Sequence, residues 1–236
     1  MKYLSDVTVE LVKHSASDSD VLFAARVSTA GEQSLEELDK DPERSKGLIN
    51  FLMRDRHGSP FEHNSMTFFV QAPIFVFREF HRHRVGWSYN EESGRYRELD
   101  SVFYIPGRDR RLVQQGRPGK YEYVEGTEEQ HETVVRAMED AYERAYASYR
   151  EMLEAGVARE VARAVLPTGL YSSMYATCNA RSLMHFLSLR TRNEAAKVPS
   201  FPQREIEMVA ERMEALWAGL MPLTHAAFNA GGRVAP

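Results

Sequence analysis

The chain is poor in cysteine: Cys178 stands alone in 236 residues. No intramolecular disulfide framework is available, and a reducing compartment is the simpler expectation. Basic residues are not in excess either. Thirty Lys and Arg face 34 Asp and Glu, a formal net charge of −4. That balance excludes bulk adhesion to DNA, RNA or an anionic membrane, which needs cations in surplus over a surface. A local basic pocket stays open. No apolar run nears membrane-spanning length, and the opening MKYLSDVTVE reaches a charge too early for a signal-peptide core. A cytoplasmic protein is expected. No Gly-x-Gly-x-x-Gly follows a strand pattern, so a Rossmann domain is not expected; Ser93 lacks a Gly-x-Ser-x-Gly elbow, and His-Glu-x-x-His is missing.

What is present is ordinary for a globular chain: 43% hydrophobic and 27% charged residues, enough for one well-buried core or at most two small ones. Val7, Val9 and Leu11 alternate with polar residues and predict a strand. Ser17 or Asp18 caps a short helix through Val21, Phe23 and Ala24. Asp41-Pro42 opens a helix with Leu48, Ile49, Leu52 and Met53 on one face, stopping near Gly58. SMTFFVQA reads as a strand, and Pro73 starts a helix running towards Arg82. SVFYIP predicts another strand. From Gly107 to Gly126 the chain is polar and Gly-rich without an apolar period, which reads as a long loop of the lid or binding type. Thr127 to Gln130 fits a capping box before a helix carrying Met138, Tyr142, Tyr146 and Tyr149. AREVARAV predicts a helix ending at Leu166-Pro167, and Tyr171 to Thr177 a strand. Asn179 caps ARSLMHFLSLR, and Ser200 caps a last long helix with Ile206, Val209, Met213, Leu216 and Leu220 inward. No repeat or linker divides the pattern. Residues 1–236 are expected to form a single mixed domain, α+β in class because strands and helices do not alternate cleanly.

The chemistry concentrates in EFHRHRVGWSYNEESGRY, Glu79 to Tyr96. Four histidines, His57, His63, His81 and His83, raise a metal site. The His-x-His pair follows a helix, however, where i and i+2 point about 200° apart, and no thiolate set is present. No metal is expected. Arg82, His83 and Arg84 beside Trp87 and Tyr89 could stack bases and hold phosphates, but Glu79 and Glu91 bound the run. Its plain reading is a solvated helix C-terminus, where cations are favoured by about 0.3–1 kcal/mol. Ser93 and Gly94 can present a hydroxyl and successive backbone N–H groups to a phosphate, and Arg95 adds a bidentate donor. Together these read as a mononucleotide cradle. Arg163, among small and apolar neighbours, needs a partner. Asn179 and Arg181 open a helix that Arg190 closes, about two and a half turns away, so the two arginines cannot meet one small group. The plain reading of Asn179 is an N-cap, and of Arg190 a dipole partner. Cys178 has no nearby His to ionise it and reads as a small buried hydrophobe. Any hard chemistry would then belong to a cofactor.

HRHRVGWSYNEESGRY resembles the signature of the flavin-dependent thymidylate synthases: Arg-His-Arg, a spacer, then Ser-x-Arg-Tyr. AARVS (24–28), HGSPFEH (57–63), QAPIFV (71–76), ARAVLP (162–167) and NARSLMHFLSLR (179–190) resemble further family segments, in the family's order. The resemblance implies a central sheet with flanking helices and a homotetramer whose flavin sites draw on several subunits. It implies dTMP made from dUMP, the methylene of methylenetetrahydrofolate and the electrons of NADPH through FAD, with no cysteine nucleophile. It assigns Ser59, Arg82, His83, Arg84, Glu91, Asn179, Arg181 and His185 to FAD, and His57 to the flavin and folate side. Glu79, Arg82, Ser93, Gly94, Arg95, Arg163 and Arg190 are assigned to dUMP, with Arg190 polarising the uracil ring at N3. Three departures stand out. The spacer after Arg84 holds one residue more than the family pattern, as though Val85-Gly86-Trp87 replaces two. His185 stands where asparagine is common. TRNEAAKVPSFPQ after Arg190 is long and lacks a histidine often found there. Two other classes compete on the residues alone: another flavin- or metal-dependent nucleotide-modifying enzyme, and a non-catalytic binder of single-stranded nucleic acid.

Overall fold

The structure is a computed structural model describing residues 1–31, 41–118 and 120–236. In chain order its elements are β1 (Lys2–Leu4), β2 (Thr8–Ser15), α1 (Asp18–Ala30), α2 (Pro42–Arg54), a 3₁₀ turn (Ser59–Glu62), β3 (Ser65–Pro73), α3 (Ile74–Phe80), β4 (Trp87–Glu91), β5 (Val102–Tyr104), β6 (Val113–Arg117), β7 (Lys120–Val124), α4 (Glu128–Glu154), α5 (Arg159–Ala162), a 3₁₀ turn (Arg163–Val165), β8 (Tyr171–Cys178), α6 (Ala180–Arg190), α7 (Arg204–Leu220) and α8 (Pro222–Ala230). The mixture is α+β, as expected. The chain groups into two compact units, each drawn from separated segments: Met1–Asp6, Ala72–Phe75 and Glu92–Ser172 in one, and Val7–Gln71, Val76–Glu91 and Ser173–Pro236 in the other. Among the described residues no helix is long and apolar enough to cross a membrane.

The larger unit is built on a sheet of order β2-β3-β8-β4. β2 pairs antiparallel with β3, and β4 antiparallel with β8. Met66, Phe68 and Val70 of β3 are fully buried, while β2 keeps an exposed face suited to a sheet edge. Thr67 and Thr177 share a 2.9 Å hydroxyl bond across the sheet. The local signals formed as read: Ser17 donates its N–H and Oγ to the Asp20 carboxylate, the Asp41 side chain accepts from the Arg44 N–H, and Asn179 Oδ1 accepts from the Ser182 N–H. Leu183, Met184, Phe186 and Leu187 bury most of the circumference of α6, leaving Arg181, His185 and Arg190 at its margin.

Three expectations are corrected in this unit. The helix after Pro73 ends at Phe80, and His83 N–H bonds Phe80 O in a tight turn, so Arg82 to Arg84 lie beyond the helix. β4, which the sequence reading missed, follows that turn. α7 begins at Arg204 with Gln203 as N-cap, not at Ser200. Pro202 disfavours helical backbone at Phe201, and the Ser200 hydroxyl donates instead to Thr191 O. Trp217 takes the fully buried place on α7, and Leu216 and Leu220 are only partly covered.

In the smaller unit β1 and β5 pair in parallel, and Leu99, Phe103, Tyr142 and Leu170 form the core. Phe103 stacks on Tyr142 at 4.7 Å between centroids. The capping box at Thr127 is complete: Thr127 Oγ1 accepts from Gln130 N–H at 3.2 Å, and Gln130 Oε1 from Thr127 N–H at 2.8 Å. The segment from Gly107 to Gly126, expected as a loop, contains the antiparallel ribbon β6–β7, with Val113 opposite Val124. Its pairing is made by backbone groups, which need no apolar alternation, so the side-chain pattern carried no sign of it.

Candidate active site

The turn after α3 is pinned from two sides. Tyr89 Oη, on β4, donates towards His83 O at 2.6 Å, with Phe80 O at 3.3 Å. The Phe80 ring stacks on Phe186 of α6 at 4.7 Å, and Trp87 lies parallel to Tyr89 at 5.7 Å. Gly86 has φ of +70°, a left-handed backbone that a side chain would strain. A Cβ there would fall 2.1 Å from Ser182 Oγ, which donates to Val85 O at 3.0 Å. The long spacer is thus taken up by a Val85-Gly86 turn seated on the first turn of α6, with the Val85 side chain 89% exposed.

Glu79, His83 and Arg190 come together although 107 or more residues separate Arg190 from the other two. Arg190 Nη1 meets Glu79 Oε2 at 2.5 Å, its Nη2 donates to Glu79 O at 3.3 Å, and its Nε donates to His83 Nε2 at 3.1 Å. His83 is therefore an acceptor at Nε2, a neutral ring rather than the third cation of the Arg-His-Arg run. Burial first, then the charges of Arg190 and His185, hold its pKa down at about 4. Burial raises the Glu79 carboxyl, the Arg190 charge opposes that, and Glu205 adds to the rise. An arginine held by a carboxylate and a neutral imidazole stays charged, with its planar face fixed.

The His83 titration has a measurable consequence. The unfolded chain takes up this proton near pH 6.5, its ordinary value, and the folded chain only near 4. Stability is full above pH 6.5 and falls as the pH drops towards 4. His83→Gln, which keeps an acceptor for Arg190 and does not titrate, is expected to lose less stability than wild type between pH 7 and 5 in urea unfolding. Equal losses would show that His83 does not titrate differently in the two states.

The residues assigned to FAD divide into two sets. Arg82 and Arg84 are exposed, and neither side chain has a hydrogen bond or ion pair among the described residues. Glu91 is exposed on β4. At the other end of α6, Arg181 donates from Nη1 to Glu62 at 2.6 Å and from Nε to Pro236 O at 2.7 Å. Its guanidinium lies against the backbone of HGSP, since a Cβ on Gly58 would fall 2.5 Å from Nε. His57 and Ser59 flank that glycine and are exposed, with His57 tilted against Phe51 at 5.5 Å. His185, one turn on from Arg181, has its pKa lowered by partial burial and by the charges of Arg181 and Arg56. Two uncompensated guanidiniums suit a diphosphate, and the Asn179 amide NH₂ adds a neutral donor; the donor set fits a flavin dinucleotide.

In the smaller unit Ser93, Gly94 and Arg95 form a turn: Ser93 O accepts from Tyr96 N–H at 3.0 Å, and Ser93 Oγ from Arg95 N–H at 3.3 Å. Gly94 is buried beneath Arg163, where a Cβ would lie 3.2 Å from Arg163 Cδ and 2.8 Å from Leu99 Cδ1. Arg163, expected to need a partner, is instead exposed and makes no ion pair among the described residues. It can keep water on its charge, so burial imposes no partner. Arg95 meets Glu160 at 3.1 Å in an exposed pair of the kind worth about 0–1 kcal/mol, cheap to exchange for a phosphate. Cys178 is buried on β8, and burial pushes its thiol far above the ordinary range. Among the described residues no three His, Cys, Asp or Glu side chains converge as metal ligands. Sequence reasoning missed Tyr89 and Ser182 as supports of the turn, and Glu62 on Arg181. Ser182 and Glu62 lie 97 and 119 residues from their partners, and Tyr89, only six from His83, was hidden because the strand that aims it was not read.

A family model described as thymidylate synthase complementing protein matches residues 10–223, and the chain belongs to that family. The chain is 83% identical over 232 residues to the flavin-dependent thymidylate synthase of Streptomyces coelicolor, covering 98% of this chain and 94% of that protein. It is 60% identical to the flavin-dependent thymidylate synthase of Tropheryma whipplei strain TW08/27, covering 99% and 97%. Among solved structures it matches a UMP/dUMP methylase, PolB from Streptomyces cacaoi, bound with 5-Br UMP. The TM-score is 0.92 at 58% identity, covering 100% of this chain and 99% of that one.

Proposed function

We propose that this chain is a flavin-dependent thymidylate synthase, converting dUMP to dTMP with the methylene of methylenetetrahydrofolate and reducing equivalents from NADPH by way of FAD. The observation that carries this reading is the pairing of a fixed, charged Arg190 on Glu79 and His83 with a buried thiol at Cys178 that burial keeps protonated. A permanent cation beside a pyrimidine stabilises negative charge at N3 and so activates the ring carbon, which makes a thiolate nucleophile unnecessary. FAD, when bound, supplies hydride chemistry that side chains lack. Arg82, His83, Arg84, Ser59, Glu91, Asn179, Arg181 and His185 are proposed to hold it, with His57 towards the folate. Glu79, Arg82 and Arg190 are proposed for the pyrimidine nucleotide, and Ser93, Gly94, Arg95 and Arg163 for its phosphate. In a homotetramer, which we propose with a cytoplasmic location, these sets can come from different copies. Residues 1–236 are proposed to act as one catalytic domain.

The test is dTMP formation from dUMP with the folate and NADPH, with and without added FAD, under anaerobic conditions. UMP is assayed beside dUMP, because the Streptomyces cacaoi protein is described as acting on both. No product from FAD-replete protein would sink the proposal. Cys178→Ser is expected to keep at least about a third of wild-type turnover, since burial keeps the thiol protonated, while losing about 1–2 kcal/mol of stability from a buried hydroxyl. Complete inactivity of a folded, yellow variant would restore a cysteine mechanism.

A further inference from the structure

The residues after α8 bind both ends of the helix that carries Arg181, His185 and Arg190. Arg233 is the centre of this contact. Its side chain is 3% exposed and grips Glu214 through two bonds, Nη1–Oε1 at 2.6 Å and Nη2–Oε2 at 2.7 Å. Asn229 Oδ1 accepts from Nη1 at 2.6 Å, and the guanidinium lies over the Phe228 ring at 4.9 Å. Its backbone is left-handed, with φ of +58°, where glycine would sit without strain, so the side chain is what the position requires. Among the described residues Glu214 is the carboxylate that pairs with this charge. A further donation, Nη2 to Thr191 Oγ1 at 2.7 Å, goes to the residue directly after Arg190.

Thr191 is the point where α6 stops. Its backbone is extended, and its hydroxyl donates to Leu187 O at 2.7 Å while accepting from Arg233. Its carbonyl accepts from Ser200 Oγ, and the next N–H, of Arg192, donates to Glu207 Oε1 at 2.9 Å. At the other end of α6 Arg181 donates to Pro236 O, and nearby Arg56 donates to Ala235 O at 3.2 Å. Residues 233–236 therefore touch the helix at both termini. Helix ends fray where their last carbonyls lack partners, and fraying here would rotate Arg190 away from Glu79 and His83.

We propose that Arg233 and Thr191 are positioning residues for the reaction: the Arg233–Thr191 bond locks the last turn of α6 and so fixes the direction from which Arg190 meets the pyrimidine. This rests on the role given to Arg190 above. Thr191→Val tests it, because valine keeps the shape, removes the acceptor, and leaves the Arg233–Glu214 pair intact. The expected result is a dUMP KM raised about tenfold, since small misplacements of a binding group carry large rate costs. The KM for methylenetetrahydrofolate and the flavin content should stay within about twofold, and Thr191→Ser should restore the dUMP KM. If the valine variant fails to retain flavin, Arg233→Lys, whose single ammonium cannot serve both Glu214 and Thr191, is judged by the same criteria. An unchanged dUMP KM in a folded variant, or equal shifts for both substrates, overturns the proposal. Arg190→Ala, assayed alongside, separates the two ideas: its inactivity with an unaffected Thr191→Val removes only the lock, whereas its full activity removes the role of Arg190 and the lock with it.

Discussion

Arg190→Ala is expected to bind FAD as wild type does and to form dTMP about 10²–10³-fold more slowly, the usual loss when one fixed charge is removed from a developing anion. Of the residues proposed for FAD, His83 loses a neighbour that donates to it, while Arg181 at the far end of α6 keeps its bonds to Glu62 and Pro236. Removing Arg190 also frees Glu79. Burial and the neighbouring Glu205 already push that carboxyl upward, and Arg190 is what opposes them. Without the arginine Glu79 takes up a proton at higher pH than in wild type, so the pH dependence of dUMP affinity should shift upward in the variant. Arg190→Lys should recover little, because one ammonium cannot bond Glu79 and His83 in the same plane. Flavin content is read from the visible absorbance of purified protein and turnover from dTMP production. Wild-type turnover by the alanine variant would place the ring-activating group elsewhere.

Gly86→Ala should be among the most destabilising single-methyl changes in the chain. A left-handed L-residue costs roughly 1–2 kcal/mol. The added Cβ, 2.1 Å from Ser182 Oγ, must also push the turn from α6, at roughly 1–3 kcal/mol more. For a chain of this length each kcal/mol lowers the melting temperature by about 2–4 °C, so a fall on the order of 5–15 °C is expected. Flavin should be lost too, because the displaced turn carries Arg82 and Arg84. Adding Ser182→Ala removes the colliding hydroxyl and should return the overlap share but not the backbone share. A melting temperature unmoved by Gly86→Ala would show that the turn is not seated on α6.

Much of this protein was legible without coordinates because some signals act over three or four residues. The caps at Asp41, Thr127 and Asn179 formed as read, since each side chain reaches only its own helix's first N–H groups. Where a local signal competed with another, it failed. Ser200 looked like a cap, but Pro202 kept the backbone extended and its hydroxyl was drawn to Thr191. Where pairing runs through the backbone alone, as in the β6–β7 ribbon, side chains gave nothing to read. β4 was hidden for a related reason: Trp87 and Tyr89 are partly covered while Ser88, Asn90 and Glu91 stay exposed, a pattern too short to read, and the strand forms by pairing with β8, 80 residues away.

By itself the sequence determined the family and the kinds of chemical groups available, because ordered motif blocks fix which donors and charges the chain carries. Only the tertiary structure decided what each group is. It made His83 a neutral acceptor rather than a cation and turned Arg190 back onto Glu79. It absorbed the additional spacer residue in a turn on Ser182, and it set Arg233 against Thr191. The reason is physical: protonation state, direction and partner depend on burial and on distances between side chains 40 to more than 100 residues apart, and those quantities exist only once the chain has folded.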